Sequence, residues 1–361
     1  MLTYCDSTVC EFHAQNQNLP ITTNISDAGI TQAIFHVPFP WKGGYGVEQQ
    51  KRIDQLYKQC DKIIVLCSEL HNVTVQFLTT LDRPKIHWFI SGYINPPRLP
   101  EHATVNQWMD WFDVTVKHYR QHPEFLDGLT PFKSKVKHFD ILLGQPRLHR
   151  DMIYYWIDAN HRHQDVVMTY IRDFDLGLYD HDFHSQSLQS RSATDFILEE
   201  PGLEYPGDDI FFTIDRVKYH GHEMSLSQVV PKSIYNRTAY TIVAETNYMN
   251  AYSFMTEKIV KPILAQRLFL VFAGQHYLHN LRNLGFKTFD GIIDESYDNE
   301  PNMEERYRKI YDQLNYLFNT PQHQILRAIK PIVEHNKQVM LETDWHGKFN
   351  SMLALTVHTD Q

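Results

Sequence analysis

Lys62-Ile63-Ile64-Val65-Leu66-Cys67 is an unbroken apolar run, the pattern of a strand covered on both faces. On its N-terminal side, Gln32-Ala33-Ile34-Phe35-His36-Val37 reads as a second strand. That strand runs into a Gly- and Pro-rich loop over residues 38–46 and then a helical pattern over residues 47–59. On its C-terminal side, residues 72–81 read as a helix and Lys85-Ile86-His87-Trp88-Phe89-Ile90 as a third strand. Strand–helix–strand–helix–strand makes a parallel α/β unit. Such sheets take ligands beyond the carboxyl ends of their strands.

The pattern repeats further along. Residues 95–130 are aromatic and broken by prolines, with a helix expected over 105–121. Lys137-His138-Phe139-Asp140-Ile141-Leu142-Leu143 opens a second α/β unit, followed by a helix over 151–160 and a strand at Val166-Val167-Met168-Thr169-Tyr170-Ile171. The acidic stretch 173–223 reads mostly as loop. A strand over 239–245, a helix over 256–266 and a strand over 268–272 come next, and amphipathic helices over 304–318 and 322–340 close the chain. The expected architecture is α/β with two domains, residues 1–135 and 136–335, and a C-terminal segment, 336–361, that packs back toward the first.

Composition agrees with this outline. The 361 residues are enough for two domains, and 42% hydrophobic with 21% charged is ordinary for a folded protein. No run approaches about 18 apolar residues, and the start of the chain lacks a basic region followed by an apolar one, so a cytoplasmic protein without a transmembrane segment is expected. Cys5, Cys10, Cys60 and Cys67 form no CxxC pair and are expected as free thiols. The net charge of −9 argues against a general nucleic-acid footprint. The charge is uneven, however: residues 133–150 carry five Lys/Arg against one Asp, leaving room for a local anion site.

The segment with most chemistry is Glu245-Thr246-Asn247 followed by Thr256-Glu257-Lys258. A strand ends at Glu245, a polar loop follows, and Thr256 is placed to cap the next helix. The free N–H groups and partial positive charge of a helix start suit phosphate, a Lys adds full charge, and a carboxylate there suits a pair of ribose hydroxyls. An ordinary capped helix with surface Glu and Lys has the same pattern. The turn Gly144-Gln145-Pro146-Arg147-Leu148-His149-Arg150 brings two arginines to another helix start.

Ala244-Glu245-Thr246-Asn247, Thr256-Glu257-Lys258 and Val271-Phe272-Ala273-Gly274 stand in the order of a motif of the α-1,3-fucosyltransferases, and the chain resembles the bacterial, phage and viral branch of that family over roughly residues 138–298. The resemblance implies a GT-B fold of two facing Rossmann-like domains with a deep cleft between them, the donor held by the second. It also implies a nucleotide-sugar donor, GDP-linked and with GDP-fucose as a candidate, transferred to a hydroxyl of a glycan or other acceptor with inversion and without a metal. Arg150, or failing it Arg147, would grip the pyrophosphate, with Glu245, Asn247, Thr256, Glu257, Lys258 and Gly274 completing the donor side.

The first domain would then face the acceptor. In its Gly-rich loop, Trp41 and Tyr45 suit stacking on a sugar ring, and Gly43 and Gly44 let backbone come close to a ligand; a plain turn with packed aromatics is the alternative. A general base is expected at a strand's carboxyl end, where Glu69 fits, as do Glu48, His36 and Asp27. The clusters at His161–His163, His181–His184 and His220–Glu223 lack metal-site spacing, and Asp180-His181-Asp182 lies in an acidic loop rather than at a strand end, so no metal is expected. Two other classes compete: a nucleotide-sugar epimerase or dehydrogenase, which needs a GxGxxG fingerprint that residues 41–46 do not match, and a non-catalytic sugar-binding module.

Overall fold

The computed structural model describes residues 2–37, 45–144, 147–170, 200–204 and 216–358. Trp41, Gly43, Gly44 and the Asp180-His181-Asp182 triplet lie outside these residues, as does the side chain of Tyr45. The chain divides into two compact units. One comprises Met1–Val114, Met249–Met255 and Asp344–Gln361; the other comprises Thr115–Tyr248 and Thr256–Thr343. The division near 114 differs from the expected break at 135, and it falls inside a helix, where no Pro, Gly or polar linker marks it. The expected boundary at 336 also lies within a helix.

In the first unit, β1 (Leu2–Cys5), β2 (Ile21–Thr22), β3 (Ile30–Val37), β4 (Lys62–Cys67), β5 (Ile86–Ile90) and β7 (Thr104–Gln107) make a parallel sheet in the order β2-β1-β3-β4-β5-β7. The short β6 (Tyr93–Ile94) stands outside it. The helices are α1 (Thr8–Asn16), α2 (Tyr45–Tyr57), α3 (Asn72–Thr80) and α4 (Asp110–Gln121), the last running on into the second unit. Side chains alternate across the strands. Ala33, Phe35, Ile63, Val65 and Trp88 feed one core with Ile53, Leu56 and Val75. Ile34, Ile64, Leu66 and Phe89 feed the other with Cys10, Trp108, Phe349 and Leu353. Residues 105–107, the start of the expected helix over 105–121, belong instead to β7, because Trp88↔Val105 and Ile90↔Gln107 extend the sheet and that pairing overrides local propensity. All four cysteines are free and buried. Burial pushes the thiols of Cys5 and Cys67 up to about 12 and that of Cys60 to about 11.

In the second unit, β8 (Lys137–Leu143), α5 (Leu148–Ala159) and β9 (Val166–Tyr170) come first. An antiparallel sheet of β10 (Leu203–Glu204), β11 (Arg216–Tyr219) and β12 (His222–Ser225) follows, then α6 (Lys232–Tyr235) and β13 (Thr238–Ala244). Residues 249–255 belong to the first unit and carry β14 (Tyr252–Ser253), which pairs antiparallel with β6. The chain continues with α7 (Glu257–Leu264), β15 (Phe269–Phe272), α8 (Tyr277–Asn283), α9 (Met303–Asn319), α10 (Gln322–Glu342) and, in the first unit, α11 (Trp345–His358). The main sheet is parallel, ordered β15-β13-β8-β9. The β11–β12 hairpin was expected as loop. His220 (φ +49°) and Gly221 (φ +79°) form its turn, a conformation that reverses the chain with the twist of the strands. No helix among the described residues is long and apolar enough to cross a membrane.

Candidate functional site

The order of the second sheet decides where its ligand site lies. From β8 the chain moves to β9 on one side, then to β13 on the other, so the strand order reverses between β8 and β13. At such a point the helices after the two strands splay apart and leave a crevice at the carboxyl ends. Here α5 starts beyond β8 and α7 beyond β13, bringing two helix N-termini to one edge. Of the residues expected on the donor side, the structure places Arg147, Arg150, Glu245, Thr256, Glu257 and Lys258 at this edge.

Glu245 follows β13 directly and is fully buried. Its Oε1 accepts from Tyr277 Oη at 2.7 Å and from the Thr256 N–H at 3.2 Å. Its Oε2 accepts from Thr256 Oγ1 at 2.8 Å and from the Thr246 N–H at 3.1 Å. The carboxylate therefore ties the end of β13 to the start of α7 and to α8 rather than offering both oxygens to a ligand. Burial raises its pKa, against the pull of Lys258 and Tyr277. Thr256 caps α7 in extended backbone (φ −118°), and its Oγ1 also accepts from the Lys258 N–H at 3.3 Å.

Lys258 Nζ donates to Glu257 Oε1 at 2.8 Å, Thr246 Oγ1 at 3.2 Å and Thr256 Oγ1 at 3.3 Å. Its side chain is 25% exposed, against 7% for Glu257. Burial works against the Glu257 charge, but Lys258 and Lys261 outweigh it and hold the carboxyl below its ordinary value. Burial in turn pushes Lys261 down to about 8, with Glu257 opposing.

On the β8 side, Arg147 caps α5 and Arg150 sits in its first turn. Arg150 is buried, and burial together with the Arg147 charge pushes it down to about 10, so it stays a cation at neutral pH. Its Nη2 reaches the carbonyls of Ala244 (3.4 Å) and Glu245 (3.3 Å), stitching the α5 start to the end of β13. His149 Nε2 donates to the Glu245 carbonyl at 2.8 Å, which fixes the proton on Nε2 and leaves Nδ1 as an acceptor. Burial, then Arg150, lowers the His149 pKa far below its ordinary value, so the ring is neutral. Tyr248 lies against it with centroids 4.9 Å apart. Asn247 is half-buried in the same loop, and Gly274 is buried just past β15, before the left-handed His276. His149, Tyr248 and Tyr277 were not singled out in the sequence. For His149 the signal was present, since it stands between the two arginines at a helix start.

The first sheet has its own reversal, between β1 and β3. Asp6, immediately after β1, accepts from the His36 N–H (2.9 Å) and Cys10 Sγ (3.1 Å) through Oδ1, and from Gln49 Nε2 (2.9 Å) through Oδ2. His36 Nε2 lies 3.2 Å from Ser68 Oγ, and burial lowers its pKa while Asp6 opposes. Glu69 follows β4, half-buried, 3.2 Å from His71 Nε2. Glu48 is on the exposed face of α2, 3.5 Å from Arg52, and Asp27 closes a turn with Thr22 and Asn24; neither joins His36. Asp6 was missed because the strand before it has only four residues. Among the described residues no group of three or more His, Cys, Asp or Glu is arranged to hold a metal ion. The chain matches no family model, no curated protein and no solved structure.

Proposed function

We propose that the chain is a glycosyltransferase that takes its sugar from a nucleoside diphosphate, GDP by preference, with the donor held by the second unit in a GT-B arrangement. The observation that carries this reading is the convergence of Arg150, Lys258 and two helix N-termini on the strand-order reversal between β8 and β13, with the Glu257 carboxylate beside them. Fixed cations and helix starts suit a diphosphate whose charge grows as the glycosidic bond breaks. A carboxylate held ionised by two lysines suits the ribose hydroxyls. In this reading Glu245 is a positioning residue that sets the α7 start, and Glu69 or His36 takes the acceptor proton.

The test is a thermal-shift screen of GDP, UDP, CDP and ADP, because a ligand that binds only the native state raises Tm in proportion to ln(1 + [L]/Kd). The expected result is selective stabilisation by one nucleotide, GDP first. Equal and negligible shifts from all four overturn the reading. Since the cations are supplied by the chain, transfer to an acceptor is expected to continue in excess EDTA, and its full loss with rescue by manganese or magnesium would remove the metal-free form of the proposal.

A further inference from the structure

α9 opens at the same edge of the second sheet. Phe272, the last residue of β15, packs under Tyr307 and Tyr311 of α9, with centroids 5.1 Å and 5.6 Å away. Between Asn302, which caps the helix, and Tyr307 stands Arg306, only 1% exposed. Its Nη1 donates to the Glu300 carbonyl at 2.6 Å, while Nε and Nη2 are buried with no hydrogen-bond partner. Burial works against its charge, while Tyr307, whose hydroxyl is within reach of the guanidinium, and then Asp298 favour it. Neither completes it. The Tyr307 hydroxyl makes no hydrogen bond of good geometry, and the two Asp298 oxygens already accept from the Leu278 and His279 N–H groups, each at 2.8 Å. The Tyr311 hydroxyl is also buried and unpartnered. A guanidinium does not shed its proton at physiological pH, so a buried one whose Nε and Nη2 lack a hydrogen bond of good geometry suits an anion.

We propose that Arg306, with the hydroxyls of Tyr307 and Tyr311, binds a phosphate group. Resting on the reading above, this is the phosphate of the donor diphosphate farther from the α7 start. The location supports it. Phe272, packed against Tyr307 and Tyr311, pairs in the sheet with Ala244, the residue before Glu245, so the α9 cluster stands beside the carboxyl end of β13. The Arg306 fork offers Nε–H and Nη2–H side by side, the geometry that pairs with two oxygens of one phosphate.

Calorimetry with inorganic pyrophosphate and with GDP separates the two claims. Wild type is expected to bind both. R306M is expected to lose at least tenfold in pyrophosphate affinity with a ligand-free Tm equal to or above wild type, since it removes an under-partnered buried charge. R306K is expected to fall between, because an ammonium cannot make the paired contact. Y307F and Y311F, which delete only hydroxyls, are expected to lose several-fold each with unchanged Tm. R306M binding pyrophosphate like wild type, or wild type failing to bind it at millimolar concentration, overturns the site. Arg306-dependent pyrophosphate binding with GDP no tighter than pyrophosphate keeps the phosphate site and removes the nucleotide reading. Tight GDP binding indifferent to Arg306 does the reverse.

Discussion

At the scale of single residues, Lys258 and Glu257 separate a ligand site from a mere helix cap. Both lie on the α7 start, and their ion pair is 2.8 Å long. A charge-assisted hydrogen bond is worth about 1.5–3 kcal/mol. K258A is therefore expected to weaken the nucleoside diphosphate tenfold to a hundredfold while leaving the free nucleoside nearly unaffected, and E257A to weaken both, read by calorimetry. Equal binding by both variants and wild type would make the motif structural only. The opposite kind of residue is Arg267. It donates from Nη2 to Asp140 Oδ1 at 2.7 Å and from Nε to Thr241 Oγ1 at 2.8 Å, and it also bonds the carbonyls of Tyr235, Thr238 and Tyr240, each at 2.9 Å, with both partners of the ion pair fully buried. Breaking a buried pair costs about 3–5 kcal/mol because the survivor keeps its charge without a partner. R267M should lower the unfolding free energy from urea titration by about that amount, and the double variant D140L/R267M should recover part of the loss. A double variant less stable than the single one contradicts this account.

At the scale of elements, the long apolar strands were legible in the sequence and the short ones were not. Residues 62–67 are buried at every position, so the unbroken apolar run was a direct image of the structure. β1 has four residues and β7 carries Asn106 and Gln107, too few or too polar for a periodic signal; register with longer neighbours makes them strands. In the candidate site, Thr256 was readable as a cap because capping is local. The Glu245–Tyr277 bond spans 32 residues and no local pattern announces it. The pairing of β6 with β14 was equally hidden, and it has a sharp requirement. Gly92 has φ +137°, and a Cβ added there would sit 2.1 Å from the Ser253 carbonyl oxygen. G92A must push backbone aside, so its Tm should fall by several degrees with the Asn95–Ala251 backbone bond loosened in hydrogen exchange. An unchanged Tm would mean that the two-strand ribbon contributes nothing to folding.

At the scale of the whole molecule, six buried or half-buried histidines form a stability term. Burial lowers the pKa of His36, His87, His138 and His149, and pushes His13 and His118 to about 4. The unfolded chain takes up protons at these rings near pH 6.5 while the folded chain does not. Their contribution is therefore complete above pH 6.5 and is lost as the pH falls toward 4. Glu257, with its lowered pKa, adds a loss at the acid end of that window. Asp140, Glu245 and Glu295, with raised values, act in the opposite sense and blunt the decline. Tm should be flat from pH 7 to 8 and fall steadily from 6.5 to 4.5. A Tm that rises on acidification would refute the assignment of these rings as neutral in the native state.

The four buried thiols have a use outside chemistry or catalysis. All of them fall within residues 1–114, and none lies in the other unit. A thiol-specific reagent added to the native protein can reach them only when the first unit opens. The second unit is silent to the reagent, so the rate of labelling is a clock for one half of the molecule alone. Run beside a circular-dichroism melt, which sees both halves, it tells whether the two units come apart in one cooperative event or in succession.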